Sequence, residues 1–248
     1  MSSETPIPPK DGWAKPVDKL HVGEISKDAI NLNVEGRQLA GLTGGFGQLW
    51  QKTYKIRLSG ADPSCTPADV IKEWKQHFPK FWPKGNEMYL PLTGIQPGEV
   101  GVLNLASLAG TKLSTGIMVI FADETSFSFM NSKGHVFVAM ITFSAFEEEG
   151  SSVAQIQMLI RASDPLYELG SRMGVVHKIE DAFWFGTLQN LAMHFGVHSA
   201  QPTLAKSLID PRVQWKEWRN IWYNAGIRTA LYTPIAIVKK MFRKKEAK

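Results

Sequence analysis

A chain of 248 residues, 44% hydrophobic and 21% charged, can bury one well-formed core with appendages and is too apolar to be disordered. It has no run of about 18 apolar residues, its opening MSSETPIPPKDGW lacks a secretory apolar stretch, and its single Cys65 excludes an internal disulfide. The formal charge of +5 lies wholly in the last ten residues, KKMFRKKEAK, so no basic stripe runs through the fold and nucleic-acid binding is not expected.

Residues 1–20 hold Pro6, Pro8, Pro9 and Pro16 and read as an extended, flexible arm. Residues 21–51 form an N-terminal extension containing GLTGGFGQLW. These glycines match neither a P-loop nor a dinucleotide fingerprint, and they read as tight turns beside packed Phe46 and Trp50. The strand KTYKIRLSG follows. Thr66, Pro67 and Asp69 then make a helix start, and Val70, Ile71, Trp74, His77, Phe78 and Phe81 continue at helical spacing until Pro79 and Pro83 intervene. The segments EMYLPL, EVGVLNLA, LSTGIMVIFA, SFSFMNSK, HVFVAMITFSAFEEEG and SVAQIQMLIRA read as successive antiparallel strands.

The hydrophobic rhythm then changes once. After Asp164-Pro165, one long amphipathic segment runs to Gly196, with Leu166, Leu169, Met173, Val176, Glu180, Phe183, Thr187, Leu191 and Phe195 on one face. Both faces of the central strands are apolar: His135, Phe137, Ala139, Ile141 and Phe143 oppose Val136, Val138, Met140 and Thr142. The long helix covers one face. The N- and C-terminal flanks are expected to wrap the other, with a homodimer as the rival arrangement.

This order of elements resembles the helix-grip fold of the START-like, pollen-allergen-like superfamily (SRPBCC). The resemblance rests on TPADVIKEWKQHFPKFWP, on SFSFMNSKGHVFVAMITFSAFEEEG and on the terminal helix through EDAFWFGTLQNLAMHFG, and it covers roughly residues 52–196. In SFSFMNSKGH and MLIRASDPLYELG the chain looks most like bacterial members without an assigned activity. The resemblance implies an α+β fold, with a curved antiparallel sheet of about six to seven strands closed by a long C-terminal helix. It also implies a site for lipids, sterols, polyketides or other apolar molecules between sheet and helix. A minority of the superfamily, cyclases and aromatases, catalyse reactions there.

Strand parity and helix phase nominate Phe129, His135, Phe137, Ile141, Phe143, Met158, Met173, Phe183, Trp184 and Leu188 as ligand-lining, although the same residues would serve a filled core. Glu180 interrupts the apolar helix stripe beside His177. A carboxylate facing an apolar cavity can act as general acid or base, whereas the plainer reading makes His177, Lys178, Glu180 and Asp181 a solvated edge. No third ligand accompanies His177 and Glu180, so no metal is expected, and no motif calls for a cofactor. Arg161, just before Asp164, suits either a carboxylate ligand or a structural bond to the helix start.

Residues 198–248 read as a helical extension with a basic tail. Trp215, Trp218 and Trp222 recur at helical intervals, and Lys239, Lys240, Arg243, Lys244 and Lys245 follow. Tryptophan beside clustered lysine and arginine is what an anionic membrane surface or a membrane-complex partner would engage; packing on the sheet is the competing reading for 212–232. A cytoplasmic protein, or one peripheral to the inner face of a membrane, is expected. Its function would be binding or carrying a hydrophobic small molecule (lipid-like, polyketide-like or isoprenoid). The alternatives are a cyclase- or hydrolase-like enzyme and an accessory subunit docking on a membrane complex through its C-terminus.

Overall fold

The computed structural model describes residues 12–61, 65–106 and 112–232. Pro6, Pro8 and Pro9 of the arm and the tail residues Lys239, Lys240, Arg243, Lys244 and Lys245 lie outside them.

The fold is α+β with the helix-grip arrangement. Eight strands form one antiparallel sheet: β1 (Leu49–Arg57), β2 (Glu87–Tyr89), β3 (Val100–Ala106), β4 (Lys112–Ala122), β5 (Ser126–Asn131), β6 (Phe137–Glu148), β7 (Ser151–Ala162) and β8 (Thr203–Asp210). Their spatial order is β2-β3-β4-β5-β6-β7-β1-β8, so hairpins build most of the sheet and β1 returns beside β7. Bulges at Val119–Phe121 and Leu49–Trp50 bend it. Helix α1 (Pro67–His77) starts on a complete capping box, Thr66 with Asp69, preceded by no ambiguity of register because Pro67 opens the first turn. Its Trp74, with Phe78 just beyond its end, packs against Phe127 and Phe143 on the concave face.

Three differences from the sequence reading have local causes. The long terminal helix is two helices, α2 (Pro165–Arg172) and α3 (Val175–His194), separated at Gly174, whose φ of 75° is left-handed. That break resets the phase: Leu166, Leu169 and Met173 are exposed, whereas Trp184, Leu188, Leu191 and Ala192 carry the burial. The extension from 198 is not helical throughout, since Thr203–Asp210 adds β8 along β1 and brings the strand count to eight.

The third difference concerns the convex face, which over β3 and β4 is covered, among the described residues, by the N-terminal flank. Leu20 and Val34 are fully buried against Val100, Val102 and Met118 of β3 and β4, and backbone bridges join Trp13 to Phe121 and Leu39 to Ser132. Over β6 and β7 that face is mixed: Thr142, Ser144, Gln155 and Gln157 share it with Val138, Met140 and Leu159. The C-terminal flank instead forms the sheet edge and then a 3-10 helix, Trp215–Tyr223, followed by helical residues 225–232 at the end of the sheet where β5 turns into β6.

Candidate functional site

Between the concave face and the helices lies a cavity of about 610 Å³. Its walls come from β3 to β7, from Phe78 and Trp82 after α1, from Leu166 and Tyr167 of α2, from Val176 to Trp184 of α3, and from Gly226, Thr229 and Ala230. The cavity exists because α1 and α3 fill only part of the concave face. Around Phe143 the space is taken: its ring stacks on Phe127 at 4.7 Å and meets Trp74, Phe78 and Trp184. Phe137, at the start of β6, borders the open space instead, with His177 of α3 stacked on its ring.

Of the ten nominated lining residues, Phe129, His135, Phe137, Ile141, Phe183 and Trp184 line this cavity. Phe143, Met158 and Leu188 share the core but are wholly enclosed by neighbouring side chains, and Met173 is 69% exposed beyond the helix break. Glu180 is in the wall. His177 lies behind it, stacked on Phe137 at 5.6 Å and edge-on to Trp50.

Glu180 and Asp181 do not form a solvated edge. Both bind Lys52 of β1, an ammonium 1% exposed, at 2.8 and 2.6 Å, and Asp181 also accepts from the Tyr54 hydroxyl at 2.6 Å. Burial, reinforced by Glu180 and Asp181, pushes the Tyr54 phenol far above its ordinary range, so it remains a donor. Lys52, Tyr54 and Asp181 were absent from the sequence-nominated set. The available signal was a lysine on the inward parity of β1, in step with Tyr54, Ile56 and Leu58. His177 Nδ1 is 3.6 Å from Glu180 Oε2, beyond a hydrogen bond, and is buried without a partner among the described residues. No group of three metal-ligating side chains occurs among them.

The end of the cavity beneath residues 223–226 has a different character. His135 Nδ1 accepts from the Phe137 amide and faces Asn131 Nδ2, each at 3.2 Å. Burial pushes this imidazole down to about 4, so it is neutral near pH 7. Both readings of His135, backbone-bonded turn residue and cavity residue, therefore hold together. The Tyr167 hydroxyl accepts from Gly226 N at 3.0 Å, and burial raises its pKa strongly. Asp164 caps α2 through Leu166 N and Tyr167 N and receives Asn224 Nδ2 at 2.8 Å; burial raises its pKa as well.

Arg161 is not among the residues that line the cavity. It binds Asp210 Oδ2 at 3.1 Å and the Arg212 carbonyl at 3.3 Å, fastening β7 to the end of β8 and leaving the start of α2 to Asp164. Trp215 and Trp222 are 71% and 72% exposed and Trp218 is about half exposed, so these rings do not cover the sheet; Trp215 meets Phe46 edge-on. No helix among the described residues is long and apolar enough to cross a membrane.

No family model matches the chain, and no curated protein matches it. Among solved structures, the chain is similar to a Mycobacterium smegmatis protein at 14% identity and a TM-score of 0.42, over 71% of this chain and 98% of that one. It is also similar to the di-domain ARO/CYC StfQ of the steffimycin biosynthetic pathway, at 12% identity and a TM-score of 0.46, over 60% of this chain and 50% of that one. A major latex-like protein of Panax ginseng gives 12% identity and a TM-score of 0.40, over 60% of this chain and 99% of that one. Each is a similarity of overall arrangement and nothing finer.

Proposed function

We propose that this protein binds or carries a hydrophobic small molecule in the cavity between sheet and helices, without transforming it. The carrying observation is the unfilled space itself. Protein interiors pack with few voids larger than a water molecule, whereas this one is about 610 Å³ and walled by Phe129, Phe137, Ile141, Phe183 and Trp184. Small-molecule sites span about 300–1,000 Å³ and are mostly apolar with a few placed polar groups. An acid–base role for Glu180 is disfavoured because Lys52 engages its carboxylate. Native mass spectrometry and organic extraction of the purified protein test the proposal, together with Ala139→Phe, which places a ring in the cavity. A stoichiometric apolar molecule that Ala139→Phe excludes is the expected result. An empty protein that takes up no hydrophobic fluorophore would sink it, and turnover of the extracted molecule lost in Glu180→Gln would install the enzyme reading.

A second reading concerns delivery. Leu166 and Ile179 line the cavity yet are exposed to solvent, so the cavity opens between them. Leu169, Met173, Trp222, Ile227 and Leu231 add exposed apolar surface on the same helices and the C-terminal segment. Such a rim, with the basic residues 239–248 next in sequence, suits docking on an anionic bilayer. Removing 239–248 is expected to weaken binding to phosphatidylserine vesicles without lowering the melting temperature. Equal binding by truncated and full-length protein refutes a role for the tail.

A further inference from the structure

We infer that the cavity end formed by His135 and Tyr167 is a binding site for an uncharged oxygen, so that the ligand is an apolar ketone, quinone or alcohol rather than a fatty-acid anion. The inference rests on the cavity-binding proposal and specifies its ligand class. A backbone N–H can only donate, so the Phe137 amide at 3.2 Å fixes His135 Nδ1 as an acceptor. The proton of the neutral ring is therefore on Nε2. No acceptor among the described residues lies within hydrogen-bond range of that Nε2, yet it is not a shielded orphan like His177 Nδ1. His135 is surrounded by protein while retaining accessible surface, and that surface faces the cavity it lines.

Tyr167 supplies a second donor. Its oxygen is occupied by Gly226 N at 3.0 Å, and its own hydrogen has no acceptor among the described residues. The two side chains belong to one end of the cavity. Ala225 N donates to the Gly134 carbonyl at 2.9 Å, next to His135, and the following Gly226 touches Tyr167.

The charges nearby select against an anion. Asp164 is fully buried at the start of the same helix as Tyr167 and forms no ion pair with a cation among the described residues. The cation among the lining residues, Lys112, turns its Nζ to the Gly85 carbonyl and to Glu87. A carboxylate would thus be desolvated beside a buried acid with no counter-charge, whereas a carbonyl oxygen accepts two hydrogen bonds from neutral donors.

Three fluorophores sharing one skeleton test this on the full chain: pyrene, acetylpyrene and pyrenecarboxylate. Wild type is expected to bind acetylpyrene about ten-fold tighter than pyrene, the worth of a buried hydrogen bond, and pyrenecarboxylate weakest. His135→Asn retains an acceptor for the Phe137 amide but its amide stops short of Nε2. It should weaken acetylpyrene markedly more than pyrene, narrowing that preference. Tyr167→Phe should weaken acetylpyrene selectively too. If wild type binds pyrene but shows no preference for acetylpyrene, or if His135→Asn weakens both equally, the oxygen site is overturned and the cavity proposal stands. If wild type binds none of the three, both fall.

Discussion

Lys52→Met isolates the buried charge cluster beneath the cavity. The ammonium is 1% exposed, and its partners Glu180 and Asp181 are 10% and 21% exposed. Removing one member of a buried pair leaves an uncompensated charge and costs about 3–5 kcal/mol. Asp181 keeps the Tyr54 hydroxyl at 2.6 Å and some water, so most of the cost falls on Glu180, and the lower part of that range applies, about 3 kcal/mol. For a chain of this size that is a fall of about 6–12 °C in melting temperature. Glu180→Gln is milder, about 1 kcal/mol, because Lys52 retains Asp181 at 2.6 Å. The double variant should recover part of the Lys52→Met loss, since the more buried carboxylate left without a counter-charge, Glu180, is then gone and Asp181 keeps the Tyr54 hydroxyl. Urea unfolding followed by tryptophan fluorescence reads all three. The reasoning is refuted if Lys52→Met stays within about 1 kcal/mol of wild type or if the double variant is no better than Lys52→Met alone.

The neutral His135 makes stability pH-dependent. Its pKa is about 4 when folded against 6.5 ordinarily, so between these values the unfolded chain takes up a proton that the folded one refuses. Its contribution is complete above pH 6.5 and is lost as the pH falls to 4, roughly 3 kcal/mol in all. Urea midpoints across this range should fall less steeply for His135→Asn, and parallel curves would contradict the assignment. Gly134→Ala probes closure of the same end: φ is 96°, and an added Cβ would lie 2.0 Å from the Tyr223 carbonyl oxygen, so residues 223–226 must move. Faster proteolysis within 220–232 and faster release of a bound fluorophore are expected; unchanged rates of both would show that this contact does not hold the end shut.

What was legible in the sequence was what is decided locally. The Thr66–Asp69 capping box sets the start of α1 within a few residues of chain, and strand alternation sets which side chains of β5 to β7 face the helices. Parity cannot separate lining from filling, because Phe137 and Phe143 occupy the same face of β6 and differ only in what stands around them: Trp74, Phe78 and Trp184 crowd Phe143, while Phe137, though stacked on His177, still borders the cavity. The strand β8 was hidden by its place at the sheet edge, where TLAKSLID is largely exposed and has no apolar face to enforce alternation. Lys52 was hidden for a different reason. Its inward parity is readable, but its meaning depends on Glu180 and Asp181, about 130 residues later, being laid across β1 by α3. A lysine on that face requires a carboxylate from the helix and cannot be left unpaired. The same cluster ties α3 to β1 across about 130 residues of chain, so it positions the helix over the sheet as well as pairing Glu180.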